Sequence, residues 1–511
     1  MSERLFESVQ THLGSDAESR SARASADTPF RILFIGDFSG RAQRGLHSAT
    51  RLNDIKPQLI DRDNFDDLMH KLDAELRVRP LGENTTAIDI KIAAMDDFHP
   101  DELYEKLNIF KDLRNIRKNL ANPDTFAQAK AEVGAWTAPT QAEPPNPQTT
   151  NTVPPPANPA NPSSANLLDA VMGANSAAAP AFNERSWNAL LRQIVAPHVI
   201  PAADPKQAEL MGYVDTAIAV MMRALMHDPA FQEIEAAWRA LSRAVYAIDT
   251  DTQLKLYVMD ITKDEWADAT AITDGASPWR RFLINAATEK FGDESWALVA
   301  ANYTFDDGEA DVSALTQAAL IAQAAGVPLI AAASTALLGC RSLAATPDPD
   351  DWREPLACAE AWSRLRDTTA ARHVALAAPR ILQRMPYGKN TDAVTRFQFE
   401  EAGENWRHDD YVWGSPAFAC ATLLAYTFSD SGWDFTAIAQ DIDDLPLHTV
   451  HRAGETGIKP CAEIALSEKA ATRMLACGVA PMASIKNEDR VRLVRLQSIA
   501  SDGGALAGSW G

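Results

Sequence analysis

The spacing of apolar residues over the first 130 positions predicts a unit of short strands and amphipathic helices. Residues 30–35 (FRILFI) form an apolar run that stops at a Gly-Asp pair, which is typical of a largely buried strand. Apolar residues then recur every three or four positions over 65–76 and over 103–120, so each stretch is predicted to be a helix with one apolar face. Between these helices, residues 87–92 alternate like a half-buried strand.

A second folded region is predicted from about residue 166 onward. Helical periodicity fills 208–226 and 229–245, and short apolar runs then alternate with helical stretches. This alternation indicates an α/β layer with parallel strands at its centre. Near the end, 479–485 and 490–497 resemble the two strands of a hairpin. The other strand candidates are 254–258, 296–303, 328–334 and 373–379.

The stretch between the two regions has a different composition. Residues 137–165 are dominated by Pro, Asn, Ala, Thr and Gln, and they have too few apolar groups to offset the entropy of ordering. We therefore predict a fold of the α/β class, with two α/β units with mixed sheets joined by a disordered linker. The predicted division is a flexible arm (1–28), a first domain (29–136), the linker (137–165) and a second domain (166–511).

Composition and charge narrow the possible partners and compartment. Asp and Glu outnumber Lys and Arg by 69 to 48, which gives a net charge of −21. Such a surplus repels phosphate backbones and anionic lipid, so neither nucleic acid nor membrane is an expected partner. The five cysteines form no C-x-x-C pair, and neither a secretory signal nor an apolar run of about 20 residues is recognisable. These features predict a cytoplasmic protein with reduced thiols.

No constellation typical of catalysis, cofactor binding or metal binding stands out. Lys389 follows a glycine as in a phosphate-binding loop, but Gln383 occupies the position of the first glycine and Asn390 that of the Mg²⁺-binding Ser or Thr. The clusters 96–99 and 407–410 each place a histidine beside carboxylates. Neighbouring residues of an extended chain point to opposite faces, so helix capping and ion pairing are favoured over metal binding. We predict no catalytic residue, no cofactor and no metal, and hence no enzyme.

A set of short motifs in the second region follows a recognisable order. The motifs are 231–241 (FQEIEAAWRAL), 328–334 (PLIAAAS), 378–389 (APRILQRMPYGK), 399–401 (FEE), 408–414 (HDDYVWG), 445–449 (LPLHT) and 491–499, which ends near a Gln-Ser pair. In this order they resemble the large sheath subunit of type VI secretion systems. Several ordered motifs are far more specific than a single short match.

The first region resembles the small sheath subunit of the same system. The resemblance rests on 29–41 (PFRILFIGDFSGR), 60–65 (IDRDNF) and 95–100 (MDDFHP). In that family the two subunits are separate chains that pair one to one. Here they are joined in one chain, and the linker is expected to enforce the pairing through a high effective concentration.

The resemblance implies a structural role in a contractile sheath around an inner protein tube. Neighbouring subunits of such a sheath are joined by β-strand addition, which needs no particular side chain. The partners it implies are other sheath subunits, the inner tube protein, baseplate components and an AAA+ disassembly ATPase. Residues 166–172 (NLLDAVM) resemble the helix that this ATPase binds, with Leu167, Leu168, Val171 and Met172 as its apolar contacts. A plain helix that caps the linker is the alternative.

One departure from the family leaves the exact role open. Family large subunits continue beyond the Gln-Ser strand with a domain that supplies strand exchange, whereas this sequence ends soon after residues 497–498. We therefore expect the C-terminal domain to be lacking, and an accessory or capping role competes with a role in the sheath wall. The alternative from another class is a soluble α/β enzyme on the same scaffold. Convergence of His408, Asp409 and Asp410 with Lys389 in a deep pocket would favour it.

Overall fold

A computed structural model describes residues 24–80, 82, 87–137, 207–273, 276–285, 295–403, 406–452 and 455–510. The chain divides into two compact units. One consists of Met1–Phe110 with Met221–Gly511, and the other consists of Lys111–Val220. The domain boundaries expected from the sequence remain predictions, and nearly all of the predicted linker lies outside the described residues.

The strands in chain order are β1 (Phe30–Gly36), β2 (Gln58–Ile60), β3 (Ala74–Val78), β4 (Ile88–Ile92), β5 (Leu254–Asp260), β6 (Leu298–Phe305), β7 (Leu329–Ala333), β8 (Val374–Ala378), β9 (Ile381–Leu382), β10 (Trp413–Gly414), β11 (Asp441–Ile442), β12 (His448–Arg452), β13 (Glu455–Lys459), β14 (Val479–Ser484) and β15 (Val491–Leu493).

The α-helices in the described part of the chain are α1 (Arg51–Asp54), α2 (Phe65–Leu72), α3 (Pro100–Lys106), α4 (Lys111–Ala121), α5 (Phe126–Thr137), α6 (Gln207–Met226), α7 (Pro229–Ala247), α8 (Lys263–Thr270), α9 (Pro278–Asn285), α10 (Glu309–Ala325), α11 (Ala359–Arg366), α12 (Ala417–Ser431) and α13 (Glu468–Ala476). None of these helices is both long enough and apolar enough to cross a membrane.

The central sheet of the first unit contains nine of these strands, in the order β11-β15-β14-β8-β7-β6-β1-β5-β2. The six strands from β14 to β5 run parallel to their neighbours, whereas β2, β15 and β11 are antiparallel additions at the two ends. The α/β class and the mixed sheet predicted from the sequence are confirmed. The predicted hairpin near the end is also confirmed, since β14 pairs antiparallel with β15.

Strand β1 comes from the first region of the chain but lies inside the sheet of the second region. It pairs with β5 along its whole length, from Phe30 opposite Leu254 to Gly36 opposite Asp260. On its other edge it pairs with β6, with Ile32 opposite Leu298. Every residue of β1 is buried, which agrees with the largely apolar run in the sequence. Its one charged member, Arg31, lies over the rings of Tyr257 and Trp296.

The two faces of β1 pack against different groups of elements. Leu33 and Ile35 join the large apolar cluster that includes Leu315 of α10. On the opposite face, Phe34 meets Phe418 of α12 edge to face, with 4.7 Å between the ring centroids. A strand covered on both faces and paired on both edges is an integral part of the core.

Two helices predicted from apolar periodicity are shorter than expected. The prediction of a helix over 65–76 is wrong in its second half, because Asp73 adopts a left-handed conformation with φ of 43° and β3 follows at once. The prediction of one helix over 103–120 is also wrong. Leu107 is extended with ψ of 131°, so the stretch divides into α3, a short 3₁₀ turn and α4. The apolar residues on both sides of Leu107 are buried, so tertiary packing sets where the helix breaks.

The other helix boundaries follow ordinary capping chemistry. Asp228 accepts a hydrogen bond from the Ala230 backbone N–H over 3.0 Å at the start of α7, where Pro229 occupies the first helical position. Thr262 and Glu265 form a capping box at the start of α8. The second unit is helical in its described residues, and there Arg117 of α4 contacts Asp215 of α6 over 2.6 Å.

We expect Phe34→Ala to lower the free energy of unfolding of the first unit by about 3 to 5 kcal/mol, because it removes a fully buried ring at the centre of the sheet. Urea unfolding followed by fluorescence measures the change. Leu46→Ala, at an apolar residue that is 43% exposed, is the control and should change the value by less than about 0.5 kcal/mol. Unchanged amide exchange in β5 and β6 of the Phe34 variant would contradict the position of β1 between them.

Candidate functional site

A buried network of three charges connects motifs that are far apart in the sequence. Arg384 lies between Glu235 and Glu401, and both carboxylates are fully buried. The guanidinium donates to Glu235 Oε1 through Nε and to Glu401 Oε2 through Nη1, each over 2.6 Å. Second contacts of 3.2 Å and 3.0 Å make both pairs bidentate. Helix α7, the segment after β9 and the FEE motif are thus held at one point.

Neighbouring groups complete the hydrogen bonds of this network. Arg239, one turn after Glu235 on α7, donates to the Glu235 carboxylate over 2.8 Å and to the Tyr387 hydroxyl over 2.9 Å. The Arg384 guanidinium lies over the Tyr387 ring, 4.4 Å from its centroid. The Tyr387 backbone N–H donates to Glu401 over 2.8 Å. Each buried charge therefore has several partners of suitable geometry.

The network fixes the ionisation states of its members. Burial alone would raise the pKa of Glu401, but the charge of Arg384 and the hydrogen bonds to the carboxylate lower it to about 2. Burial would likewise lower the pKa of Arg384, yet Glu235 and Glu401 hold it well above its ordinary value. Groups that stay charged near neutral pH are poorly matched to general acid–base catalysis, so the network suits a structural role.

A second set of contacts anchors the loop after β1, which carries the motif 29–41. The carboxylate of Asp260, at the end of β5, accepts hydrogen bonds from the backbone N–H groups of Phe38 (2.9 Å) and Ser39 (3.0 Å) and from the Ser39 hydroxyl (2.7 Å). The indole N–H of Trp238 donates to the Phe38 carbonyl over 2.8 Å. Residues of the large-subunit-like region therefore define the path of the small-subunit-like loop.

The same loop carries two further charged contacts. Asp37 accepts hydrogen bonds from the backbone N–H groups of Arg41 and Ala42, each over 2.8 Å. Burial raises the pKa of Asp37 despite these bonds, and the nearby carboxylates of Asp260 and Glu233 act in the same direction. Arg41 in turn contacts the buried Glu265 over 2.7 Å.

A cleft of about 660 Å³ opens where the carboxyl ends of β1 and β6 meet. Ligands of open α/β sheets commonly bind at such a place. Here the cations of the lining have internal partners: Lys263 contacts Asp311 over 2.7 Å and Arg380 contacts Glu463 over 2.6 Å. The carboxylate of Asp37 already accepts two backbone hydrogen bonds. The two cations and the Asp37 carboxylate of the lining are therefore already engaged within the protein.

The motif 408–414 surrounds another buried carboxylate. His408 Nε2 lies 3.3 Å from Glu463 Oε1, and its Nδ1 lies 2.9 Å from Lys459 Nζ. The imidazole stacks on the Trp413 ring with 5.0 Å between centroids. Burial would raise the pKa of Glu463, but His408 and Arg380 lower it to about 2. This cluster fastens the motif to the segment before α13.

The residues whose convergence would favour an enzyme are not brought together. Asp410 points back to Arg407, accepting from its backbone N–H over 2.8 Å, whereas His408 faces Glu463. Asp409 and Lys389 are exposed. Across the described ranges, no group of three or more His, Cys, Asp or Glu side chains is arranged to hold a metal ion.

The capping interpretation of the first His-carboxylate cluster is confirmed. His99 Nδ1 accepts from the Asp101 backbone N–H over 3.1 Å at the start of α3. Asp97 accepts from the backbone N–H groups of Ala93 (2.7 Å) and Ala94 (3.0 Å). The proposed ATPase-binding residues Leu167, Leu168, Val171 and Met172 lie outside the described residues.

The sequence did not reveal the Glu235–Arg384–Glu401 network. A signal was present, because Glu235 is the one polar residue in the otherwise apolar run 234–238 (IEAAW) of a helix. A charge inside an apolar stripe requires a buried partner of opposite sign. The sequence alone does not identify that partner, which lies 149 positions further along the chain.

Comparison with known proteins assigns the family. Residues 208–500 match VipB, described as EvpB/VC_A0108, tail sheath N-terminal domain. The chain belongs to this sheath family. Residues 9–133 match a second family, described as type VI secretion system, VipA, VC_A0107 or Hcp2. Both halves of the resemblance seen in the sequence are thereby confirmed.

A curated member of the sheath family is similar over much of the chain. Type VI secretion system sheath protein TssC1 from Pseudomonas aeruginosa PAO1 is 30% identical over 301 residues. These residues are 57% of the present chain, and the chain spans about 60% of the length of TssC1. Membership of the sheath family indicates a structural component, and the enzyme alternative is not supported.

We expect Arg384→Met to lower the free energy of unfolding by about 3 to 5 kcal/mol, because it leaves Glu235 and Glu401 buried without a cation. The control is Arg372→Met, which removes an arginine that is 52% exposed in a surface pair with Asp502. That loss should be below about 1 kcal/mol. Urea midpoints measure both variants, and equal losses would contradict the special role of the network.

Proposed function

We propose that the chain is a structural subunit of a type VI contractile sheath in the cytoplasm and that it has no catalytic step of its own. Within it, 29–136 would act as the small-subunit part and 166–511 as the large-subunit part. The observation that carries the proposal is the pairing of β1 with β5 and β6, which joins the VipA-like and VipB-like segments in one sheet. Contraction would then be a repacking of rigid units between two lattice states.

The distribution of charge supports a role without chemistry. Several charged motif residues are engaged in internal pairs, such as Arg384 with Glu401 and Arg380 with Glu463. Such pairs hold segments in register and do not present a reactive group to a substrate. The subunit is therefore expected to act through the shape of its surface and through its backbone.

Strand addition between subunits is part of this proposal. The end strands of the central sheet are short, with three residues in β2 and two in β11, which limits further pairing there. The hairpin of β12 and β13 is longer, and among the described residues it pairs with no other strand. Ile458 on this hairpin is 42% exposed. The exposed apolar side chain makes this hairpin a suitable place for a strand of a neighbouring subunit to add.

The remaining partners are inner tube protein and baseplate components. The inner tube protein and the baseplate components would contact the subunit only in the assembled sheath, because the tube fills the lumen of the sheath and the baseplate contacts one end of the sheath. A capping subunit would bind at one end of a sheath, whereas a wall subunit would bind copies on both sides. These two roles differ in the particles that the purified chain forms.

Electron microscopy of the purified chain, alone and with the other sheath subunits, separates the two roles. We expect tubes if the chain builds the wall, and long tubes from the chain alone would exclude a purely capping role. Discrete particles alone, together with binding at the ends of sheaths formed by other subunits, would indicate a cap. Absence of any association with sheath subunits would contradict the proposed function.

A pair of matched variants tests the hairpin in the same experiment. Ile458→Asp should reduce the number of assembled particles at least tenfold, because it places a charge where a neighbouring strand would add. Val494→Asp, at another apolar residue that is 37% exposed, is the control and should assemble normally. Equal assembly of both variants would exclude the hairpin as the joining surface.

We also propose that residues 166–172 bind an AAA+ ATPase that disassembles the sheath, with Leu167, Leu168, Val171 and Met172 as contacts. The support is the resemblance of NLLDAVM to such a recognition helix and its position just after the predicted linker. An apolar face of this kind suits binding in a groove.

Deletion of 166–172 should abolish capture of the ATPase in a pull-down with the full chain. Deletion of 151–157, seven residues from the Pro-rich stretch, is the control and should leave capture unchanged. Equal capture by both deletions would leave 166–172 with the role of a plain helix that caps the linker.

A further inference from the structure

The sheet of the first unit depends on a strand that is remote in sequence. β5 and β6 both come from the later part of the chain, and each presents an edge to β1. Without β1, these two edges would face an open slot. The slot is selective for β1. Seven residues of β1 lie opposite seven residues of β5, and the side chains of β1 are all buried against the elements around the slot.

The other contacts between the early and late parts of the chain are also noncovalent. Asp260 holds Ser39, and Arg41 contacts Glu265. Asp101 of α3 accepts from the Thr395 backbone N–H over 3.0 Å and from its hydroxyl over 2.8 Å. None of these contacts requires that both partners belong to the same copy of the chain.

The covalent connection between the two parts is long. It comprises the 69 residues from 138 to 206. Both of its ends belong to the second unit, where Gln207 Nε2 donates to the Leu120 carbonyl over 2.6 Å. A chain of this length reaches at most about 230 Å when fully extended. Because residues 137–165 of this connection are predicted from the sequence to be a flexible linker, the connection would act as a tether with an effective concentration on the order of millimolar or less.

We propose that residues 24–137 of one copy fill the slot between β5 and β6 of a second copy, so that neighbouring chains are linked by exchange of β1. In the closed form β1 fills the slot of its own chain, and in the exchanged form it fills the slot of another copy. Both forms contain the same contacts, so the balance between them depends on the local concentration of copies relative to the effective concentration of the tether. Wherever copies are packed side by side, exchange competes with closure. The inference does not depend on the proposed function.

A disulfide between facing strands detects the exchange directly. Ile35 of β1 lies opposite Met259 of β5 in the parallel register. One full-length chain carries Ile35→Cys with one affinity tag, and a second carries Met259→Cys with another tag. After the two are refolded together and oxidised, a covalent heterodimer bearing both tags forms only if β1 of the first chain pairs with β5 of the second. The fraction of chains found in the heterodimer should rise roughly tenfold when the refolding concentration rises tenfold, as expected below the effective concentration of the tether.

Two controls make the outcome decisive. A single chain with both substitutions should form the disulfide within itself, which shows that the pair is competent and that the variants fold. Ile32→Cys replaces Ile35→Cys in the matched control; it lies opposite Leu256 and on the other face of the sheet, so no heterodimer with Met259→Cys is expected. A competent intrachain pair without any heterodimer at any concentration would overturn the exchange, as would an equal yield with Ile32→Cys.

Discussion

Backbone hydrogen bonds on both edges of β1 are the interaction on which the rest of the structure depends. A strand in the interior of a parallel sheet must be covered on both faces, and β1 meets this requirement with a run of residues that are all buried and, except for Arg31, uncharged. The consequence reaches beyond local stability. The VipA-like and VipB-like segments share one apolar core, and the loop after β1 takes its shape from Asp260 and Trp238 of the later segment. The one-to-one pairing of the two segments is thus a property of the core.

The pairing of buried carboxylates with arginines is the second constraint on the structure. The chain has a net charge of −21, yet its buried carboxylates are matched by arginines in well-defined pairs. Glu235 and Glu401 belong to different motifs, Glu463 lies in the segment before α13, and each fixes one segment against another. The desolvation cost of such pairs makes them poor contributors to net stability, but an incorrect register would leave a charge buried without a partner. We infer that they favour one arrangement of the irregular segments that surround the regular sheet.

The sequence predicted the fold class, the central strands and the family, because these depend on local patterns. The apolar run at 30–35 and the motifs are properties of neighbouring residues, and helix α7 began at the predicted Pro229. The position of β1 between β5 and β6 could not be predicted, because a local sequence pattern does not specify which remote strands pair with each other. For the same reason the partner of Glu235 was missed. The two helix boundaries that were wrong, at Asp73 and Leu107, are positions where burial of later residues overrides periodicity.

The sequence distance across the centre of the sheet has a consequence for how the chain is made. Ile32 pairs with Leu298, and 266 positions separate them. At a synthesis rate of about 5 to 20 residues per second, β1 leaves the ribosome roughly 15 to 50 seconds before β6 exists. During this interval β1 lacks its final neighbour along the edge that β6 later occupies. A nascent chain of this protein therefore carries an incompletely paired, largely apolar strand for about half of its translation.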